Sequence, residues 1–219
     1  MKLSLNFSRA RFAGFTVVEI YVASATFILL VIAITAVQFF AARVYTLAAT
    51  KLTATAAGRK IMNDIREQTR EGIQVEVGIY TPANNTFTNI PIGSPQIGNA
   101  LVIYSNNPNA TDASGNPNSG IIYFMNIAAS NMCSVAITNG VVQTATRANN
   151  IIVYITNYFV FDAEDCSNNI LTTYDNNRLI HMKFQFSQWE YPLAGVVGQN
   201  AMYDFFQLQT RVAPRIINY

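Results

Sequence analysis

Charged residues are scarce in this chain of 219 residues, where they make up 12% of the sequence, about half the usual share in a soluble domain. Apolar residues make up 51%. This composition excludes an intrinsically disordered chain and argues against an ordinary cytosolic enzyme. A net charge of +2 creates no strong basic field, so nucleic acid is not expected as a partner. The length suits one globular unit with an appendage.

The sequence also has few of the residues and motifs that carry catalysis. It contains one histidine, His181, and the apolar alternation of residues 179–186 predicts that this side chain faces solvent together with Lys183. It contains no GxSxG nucleophile elbow, no HExxH helix and no Walker loop. We therefore predict no catalytic residue, no metal ligand and no cofactor, and we expect a protein that is not an enzyme.

The few charges are distributed unevenly along the chain. Residues 1–71 contain nine Lys and Arg against four Asp and Glu, a net charge of +5, whereas residues 72–219 contain five against eight, a net charge of −3. The 23 residues between Glu19 and Arg43 carry no formal charge. This run exceeds the roughly 20 residues that a helix needs to cross a bilayer, so one membrane span is predicted.

Basic residues ahead of the span predict its orientation. Lys2, Arg9 and Arg11 should be retained in the cytoplasm, so that the chain after the span faces outward. We expect a single-pass membrane protein with a cytoplasmic N-terminus and an extracytoplasmic head.

An acidic residue near the start of the apolar run is the most informative feature of the sequence. Gly14 is followed by Phe15, a threonine, two valines and Glu19. A cleaved secretory signal has a basic start, an apolar stretch and then a small-residue cleavage site, with no carboxylate inside the stretch. A carboxylate in a membrane segment is costly and marks function, so Glu19 should meet a cationic partner.

These residues resemble the type IV prepilin family. Members of that family carry a short basic leader, a Gly and then Phe-Thr-hydrophobic-hydrophobic-Glu ahead of a long apolar helix, as RFAGFTVVE does here. The resemblance, which is strong over residues 1–45, implies that prepilin peptidase cuts between Gly14 and Phe15, removes a leader of residues 1–14 and methylates the new amino group of Phe15. It also implies that Glu19 pairs with the N-terminal amine of a neighbouring subunit during filament assembly.

The resemblance further implies what the protein does. It predicts a structural subunit of a type IV pilus or a type II secretion pseudopilus, held in the inner membrane and then assembled into a filament. Its partners would be prepilin peptidase, other pilin or pseudopilin subunits and the inner-membrane assembly platform. The low charge and the varied head favour a minor or initiating subunit similar to the J-type minor pseudopilins. The alternative is a membrane-anchored domain that binds or cleaves an extracellular polymer.

A single long helix is predicted from Phe15 to Glu71. Residues 15–42 form its transmembrane part, and residues 43–72 form a stalk that packs on the head. One stripe of the stalk follows a helical period, and its members are Leu47, Ala54, Gly58, Ile61 and Ile65. No proline interrupts the helix, and Gly72 is predicted to cap its C-terminus.

A change of period after Gly72 predicts a β-rich head over residues 73–219. Apolar residues alternate with others from Ile73 to Tyr80, as in a strand. The further predicted strands are residues 100–105, 120–127, 133–138, 141–146, 151–161, 179–186 and 205–212. Asn139 and Gly140 predict a two-residue hairpin, because both tolerate positive φ. Together, the helix and the strands predict an α+β, pilin-like fold in which a long N-terminal helix packs on an antiparallel β-sheet.

The two cysteines of the chain fall in the predicted head. Cys133 and Cys166 are even in number and lie in an outward-facing region, which favours a disulfide between them. The sequence supplies no Cα separation, so two free thiols remain the alternative. The absence of CxxC spacing argues against a metal site at these cysteines.

Two polar segments carry oxygen ligands that could suit calcium, but neither is a strong candidate. The first lies in a loop predicted over residues 106–119 and offers one carboxylate among Asp112, Ser114, Asn116 and Asn118. The second is the acidic cluster of Asp162, Glu164 and Asp165 near Cys166. A solvated turn is the favoured interpretation of both segments. The separation of Asp162 and Glu164, on which glycosidase chemistry would depend, cannot be read from the sequence.

Overall fold

The structure is a computed structural model that describes residues 14–105, 111, 118–143, 155–173, 178–189 and 203–214. The chain divides into two units, Met1–Thr46 and Leu47–Tyr219. Residues 1–13, which make up almost all of the predicted leader, lie outside the described residues.

Helix α1 spans Val17–Glu71 and has residues in both units. It begins two residues after the predicted start and ends where the sequence predicted. Every described side chain from residue 14 to residue 46 is exposed. In the described part of the chain, α1 is the one helix long and apolar enough to cross a bilayer.

Hydroxyl groups within the uncharged run of α1 are satisfied by the helix itself. Ser24 Oγ donates to the carbonyl of Tyr21 at 2.9 Å, and Thr35 Oγ1 donates to the carbonyl of Val31 at 2.7 Å. A hydroxyl that bonds back to its own helix needs no water, and this arrangement suits a segment surrounded by hydrocarbon.

The second half of α1 buries the predicted stripe. Ala54, Gly58, Ile61 and Ile65 are all buried, and Ile65 is 0% exposed. The side chain of Leu47, the fifth member of the stripe, lies outside the described set. The helical period of the sequence therefore identified the packing face correctly over Ala54 to Ile65.

Gly72 ends the helix, although the left-handed conformation that usually explains a terminal glycine is not involved. Its N–H donates to the carbonyl of Gln68 at 2.8 Å, and its φ is not positive. A Cβ at this position would lie 2.7 Å from Ile103 Cγ2 and 3.1 Å from the carbonyl oxygen of Tyr104. The glycine is required because the strand segment of Ile103 and Tyr104 passes close to the helix end.

In the part of the chain that the structure describes, ten strands follow the helix, and all their pairings are antiparallel. They are β1 Gln74–Thr81, β2 Thr86–Asn89, β3 Ile97–Gly98, β4 Ala100–Tyr104, β5 Gly120–Asn126, β6 Asn131–Thr138, β7 Val141–Val142, β8 Phe161–Glu164, β9 Leu179–Trp189 and β10 Tyr203–Val212. A six-stranded sheet has the order β2-β1-β4-β5-β6-β7, and a four-stranded sheet has the order β10-β9-β8-β3. The predicted α+β class, with a long helix packed on antiparallel sheet, is confirmed.

One predicted strand is largely wrong within the described residues. Residues 151–161 were expected to be extended, but Ile155 forms only an isolated bridge with Phe186, and β8 begins at Phe161. The side chain of Asn157 explains the difference: its Oδ1 accepts from the N–H of Gln185 at 2.8 Å, and its Nδ2 donates to the carbonyl of Lys183 at 2.7 Å. A side chain thus takes ladder positions on β9 that a backbone would occupy.

The predicted hairpin turn is confirmed, whereas two short strands were not predicted. Asn139 and Gly140 have φ of 53° and 74° and join β6 to β7, so the two-residue hairpin is confirmed. The short strands β2 and β3 were not predicted, because neither carries an alternating run long enough to be recognised.

One apolar cluster joins the helix to both sheets. Its members include Ile61 and Ile65 of α1, Val77 and Leu101 of the six-stranded sheet, and Phe161, Met182 and Phe184 of the four-stranded sheet. The chain passes from β3 in one sheet to β4 in the other through a single residue, Asn99. The Asn99 side chain accepts from the N–H of Tyr80 at 2.8 Å and donates to the carbonyl of Tyr80 at 3.0 Å, which fixes this crossing to β1.

We predict that Ile65→Ala destabilises the head by about 2–5 kcal/mol, because it leaves a cavity where the helix meets both sheets. The matched control is Leu52→Ala on the same helix, where the side chain is 73% exposed. That control should change the free energy of unfolding by no more than about 0.5 kcal/mol. Denaturant unfolding of the full chain in detergent micelles measures both, and equal effects would contradict the packing described.

Candidate functional site

The start of α1 is closed by reciprocal hydrogen bonds between Thr16 and Glu19. The N–H of Thr16 donates to Glu19 Oε2 at 2.8 Å, and Thr16 Oγ1 donates to the same oxygen at 3.0 Å. In return, the N–H of Glu19 lies 3.3 Å from Thr16 Oγ1. Thr16 is therefore the N-cap and Glu19 the third helical residue of a capping box. This Thr-x-x-Glu signature was readable in the sequence and was missed there.

The capping box engages only one oxygen of Glu19. Both bonds that the carboxylate accepts from Thr16 end on Oε2, and no other described group donates to Oε1. Glu19 also provides the only formal charge between Gly14 and Ala42. The carboxylate is thus held at the first turn of the apolar helix, with one oxygen left for a further donor.

Gly14 and Phe15 lie ahead of the helix and are open to their surroundings. A Cβ added at Gly14 would meet no heavy atom within 4 Å, and Phe15 is 83% exposed. Nothing in the described structure restricts the size of the side chain at position 14. The described residues therefore leave room for a larger side chain at this position.

The cysteines are not bridged, so the favoured disulfide gives way to the alternative of two free thiols. Cys133 is buried on β6 of the six-stranded sheet, whereas Cys166 is exposed in the turn that follows β8 of the four-stranded sheet. Cys133 lies within one sheet and Cys166 lies beside a strand of the other, and this placement could not be read from their spacing in the sequence. Burial raises the pKa of the Cys133 thiol, an effect that a hydrogen bond with Asn126 opposes.

His181 is buried, which corrects the prediction that it faces solvent. The alternation of β9 does place it opposite the apolar face of Ile180 and Met182, as expected, but the residue is only 7% exposed. The period of a strand indicates which face a side chain occupies, and it carries no information on whether that face is covered. Neither ring nitrogen has a hydrogen-bond partner among the described residues.

Three strands bring acidic and basic side chains to His181. In the antiparallel register, Asp162 of β8 and Arg211 of β10 lie directly opposite it on either side. Glu164 follows Asp162 by two residues and therefore shares its face. His181 Nδ1 lies 3.1 Å from Glu164 Oε1 and 3.4 Å from Asp162 Oδ2. Arg211 Nε donates to Glu164 Oε2 at 2.6 Å.

The acidic cluster predicted as a solvated turn is therefore divided between a strand and a turn. Glu164 is 5% exposed. Burial raises the pKa of the Asp162 carboxyl, an effect that His181 opposes and Glu164 reinforces. Asp165 turns away into its own loop, where Oδ1 accepts from the N–H groups of Ser167 and Asn169 at 2.7 and 2.9 Å.

The structure bears on one of the two calcium candidates, the acidic cluster of Asp162, Glu164 and Asp165. The hydrogen bonds of Asn169 lower the pKa of Asp165 and occupy both of its oxygens, so the three acidic residues do not converge on one ion. Asp112, Ser114 and Asn116 lie outside the described residues. The group that does converge is Asp162, Glu164 and His181, whose ligand atoms all lie within 4.8 Å of one another and could hold a metal ion.

Comparison with known proteins adds no assignment. No family model matches the chain, and no curated protein or solved structure matches it. Function must therefore be argued from the residues and the geometry described above.

We predict that the two thiols react at very different rates in the folded protein. Cys166 is exposed and should be alkylated without prior reduction, whereas Cys133 is 3% exposed and should react only after denaturation. Peptide mapping after alkylation under native and denaturing conditions measures both sites. A peptide pair that separates only on reduction would instead show a disulfide.

Proposed function

We propose that the protein is a structural, non-enzymatic subunit of a type IV pilus or a type II secretion pseudopilus. It is made as a single-pass inner-membrane protein with a cytoplasmic N-terminus, cleaved and methylated by prepilin peptidase at Phe15, and then assembled into a filament. The observation that carries the proposal is the single carboxylate of Glu19, held at the first turn of a long apolar helix directly after Gly14 and Phe15.

The surface of the first unit is that of a segment that needs apolar surroundings, which supports the proposal. Its described side chains are exposed throughout, and 23 of its residues form an uncharged run. Such a surface is stable in a bilayer or among the apolar helices of other subunits, and it is unstable in water. Lys2, Arg9 and Arg11 favour retention of the N-terminus in the cytoplasm.

Cleavage after Gly14 would create the cationic group that Glu19 requires. The new amine of Phe15 would lie one helical turn before Glu19, and the capping box leaves Glu19 Oε1 for a donor. A charge in hydrocarbon is tolerated when an opposite charge pairs with it. A subunit arriving in the filament can therefore be held by its own carboxylate on the amine of a neighbour.

The packing of the second unit supports a mechanical role for the subunit. The stalk half of α1 shares one apolar cluster with both sheets, so force on the helix would be transmitted to a folded head through packing. The low proportion of charge and the irregular head favour a minor or initiating subunit, similar to J-type minor pseudopilins, over a shaft subunit. In this role the partners are prepilin peptidase, other filament subunits and the inner-membrane assembly platform.

Cleavage is tested at the residue before the proposed cut. Gly14→Arg should abolish processing, because a large charged side chain would enter a recognition site that accepts glycine. Gly14→Ala adds one methyl group where the structure has open space and should be processed far better than Gly14→Arg. Intact-mass and N-terminal analysis of membrane fractions measures the start of the chain. A mature form that does not begin at Phe15 would contradict the prepilin assignment and favour the membrane-anchored alternative.

The role of Glu19 is tested by separating its charge from its capping function. Glutamine can replace glutamate in a capping box, whereas alanine cannot. If assembly needs the ion pair, Glu19→Gln and Glu19→Ala should both fall at least about tenfold in incorporation into sheared filaments, since an unpaired amine would remain in an apolar environment. Membrane insertion and cleavage should persist in both variants.

A third variant controls for the helix start. Thr16→Val removes the capping hydroxyl and keeps the carboxylate, so it should assemble better than Glu19→Gln. Normal incorporation of Glu19→Gln together with loss in Glu19→Ala would assign Glu19 to helix capping alone and would refute the pairing role.

A further inference from the structure

The four-stranded sheet has two chemically different faces at the point where β8, β9 and β10 meet. One face contributes Phe161, Ala163, Ile180, Met182 and Val212 to the main apolar cluster. The other face carries Asp162, Glu164, His181 and Arg211 in adjacent register positions. The filament role proposed above makes no use of this second face, which lies in the head and far along the chain from Gly14.

His181 is buried on this face with Nδ1 within ion-pair distance of two carboxylates but without a hydrogen bond to either. Its side chain is only 9% exposed, and neither ring nitrogen has a hydrogen-bond partner among the described residues. A buried polar group without a partner destabilises the folded state, so native proteins rarely retain one that has no other role. The orphaned Nδ1 is directed at the two carboxylates, within 3.4 Å of an oxygen from each.

Two of the three separations match those of ligand atoms around one ion, and the third is within 4.8 Å. In a tetrahedral or octahedral shell with bonds of about 2.1 Å, adjacent ligand atoms lie about 3.0–3.4 Å apart. Nδ1 lies 3.1 Å from Glu164 Oε1 and 3.4 Å from Asp162 Oδ2. These pairs are close without being aligned as hydrogen bonds. An ion between the three atoms would satisfy all of them.

Arg211 fixes the orientation of the Glu164 carboxylate. Its Nε donates to Glu164 Oε2 at 2.6 Å, and the other oxygen, Oε1, lies 3.1 Å from His181 Nδ1. Partners of this kind, bonded to a ligand and not to the metal, fix the orientation of the ligand. Arg211 beside Glu164 and Lys183 near Asp162 also offset the negative charge of these carboxylates, so metal binding should be weaker than at a closed site with four protein ligands.

We propose that Asp162, Glu164 and His181 form a binding site for a divalent transition-metal ion of the Zn²⁺ type. The mixture of one imidazole and two carboxylates suits Zn²⁺ and its neighbours in the first transition row. Ca²⁺ takes six to eight oxygen ligands, and this group offers an imidazole nitrogen in their place. The site ties β8 to β9 on the face opposite the apolar core, and its ion would stabilise the head independently of filament assembly.

The single histidine of the chain makes the test direct. The full-length protein in detergent micelles, with affinity tags removed and metal stripped by chelator, is labelled with ¹⁵N-histidine and titrated with Zn²⁺. The imidazole nitrogen resonances should shift and saturate at one Zn²⁺ per chain. Ca²⁺ at the same concentration should leave them unchanged. Resonances that do not respond to Zn²⁺, or that respond equally to Ca²⁺, would overturn the proposal.

Isosteric variants locate the site. Asp162→Asn and Glu164→Gln keep side-chain size and should each weaken Zn²⁺ binding at least about tenfold. Glu67→Gln, which changes an exposed carboxylate on α1, should bind as the unchanged protein does. Circular dichroism establishes which variants are folded. Unaltered binding by a folded Glu164→Gln variant would overturn the site, and the titration of the unchanged protein decides the proposal if a variant fails to fold.

Discussion

The burial of one helical stripe against residues of both β-sheets is the packing interaction on which the rest of the head depends. Ile61 and Ile65 lie in a single apolar cluster with residues of both sheets. Each sheet can bury only one of its faces against this cluster, so the opposite faces require other solutions. The six-stranded sheet carries a second apolar cluster around Ile122 and Phe124, whereas the four-stranded sheet carries charged and polar side chains.

The two halves of helix α1 differ in the surroundings that stabilise them. Its first half is apolar on every side and closes its own hydroxyl and N-terminal donors through Ser24, Thr35 and the Thr16–Glu19 box. Its second half is amphipathic and obtains stability from the head. The proposed transfer of the apolar half from a bilayer to a filament would leave the packing of the head unchanged, because the buried stripe of Ala54 to Ile65 lies in the second half alone.

The polar face of the four-stranded sheet shows how a strand-rich head can acquire a specific site from few charges. The chain has 12% charged residues, yet the register of three adjacent strands places three charged side chains, those of Asp162, Glu164 and Arg211, around one buried imidazole. The low dielectric of the surroundings makes an unmatched group there costly. An ion bound between Asp162, Glu164 and His181, as proposed, would therefore stabilise β8 and β9.

The sequence by itself determined the features that depend on local period or on neighbouring residues. These are the extent of α1, its buried stripe, most of the strands, the hairpin at Asn139 and Gly140, and the position of Glu19 at the start of the apolar run. The tertiary structure alone decided the features that depend on which strands are neighbours. The separation of Cys133 from Cys166 and the burial of His181 between Asp162 and Arg211 follow from strand order and register, and contacts between residues so far apart in the chain leave no signal in local periodicity.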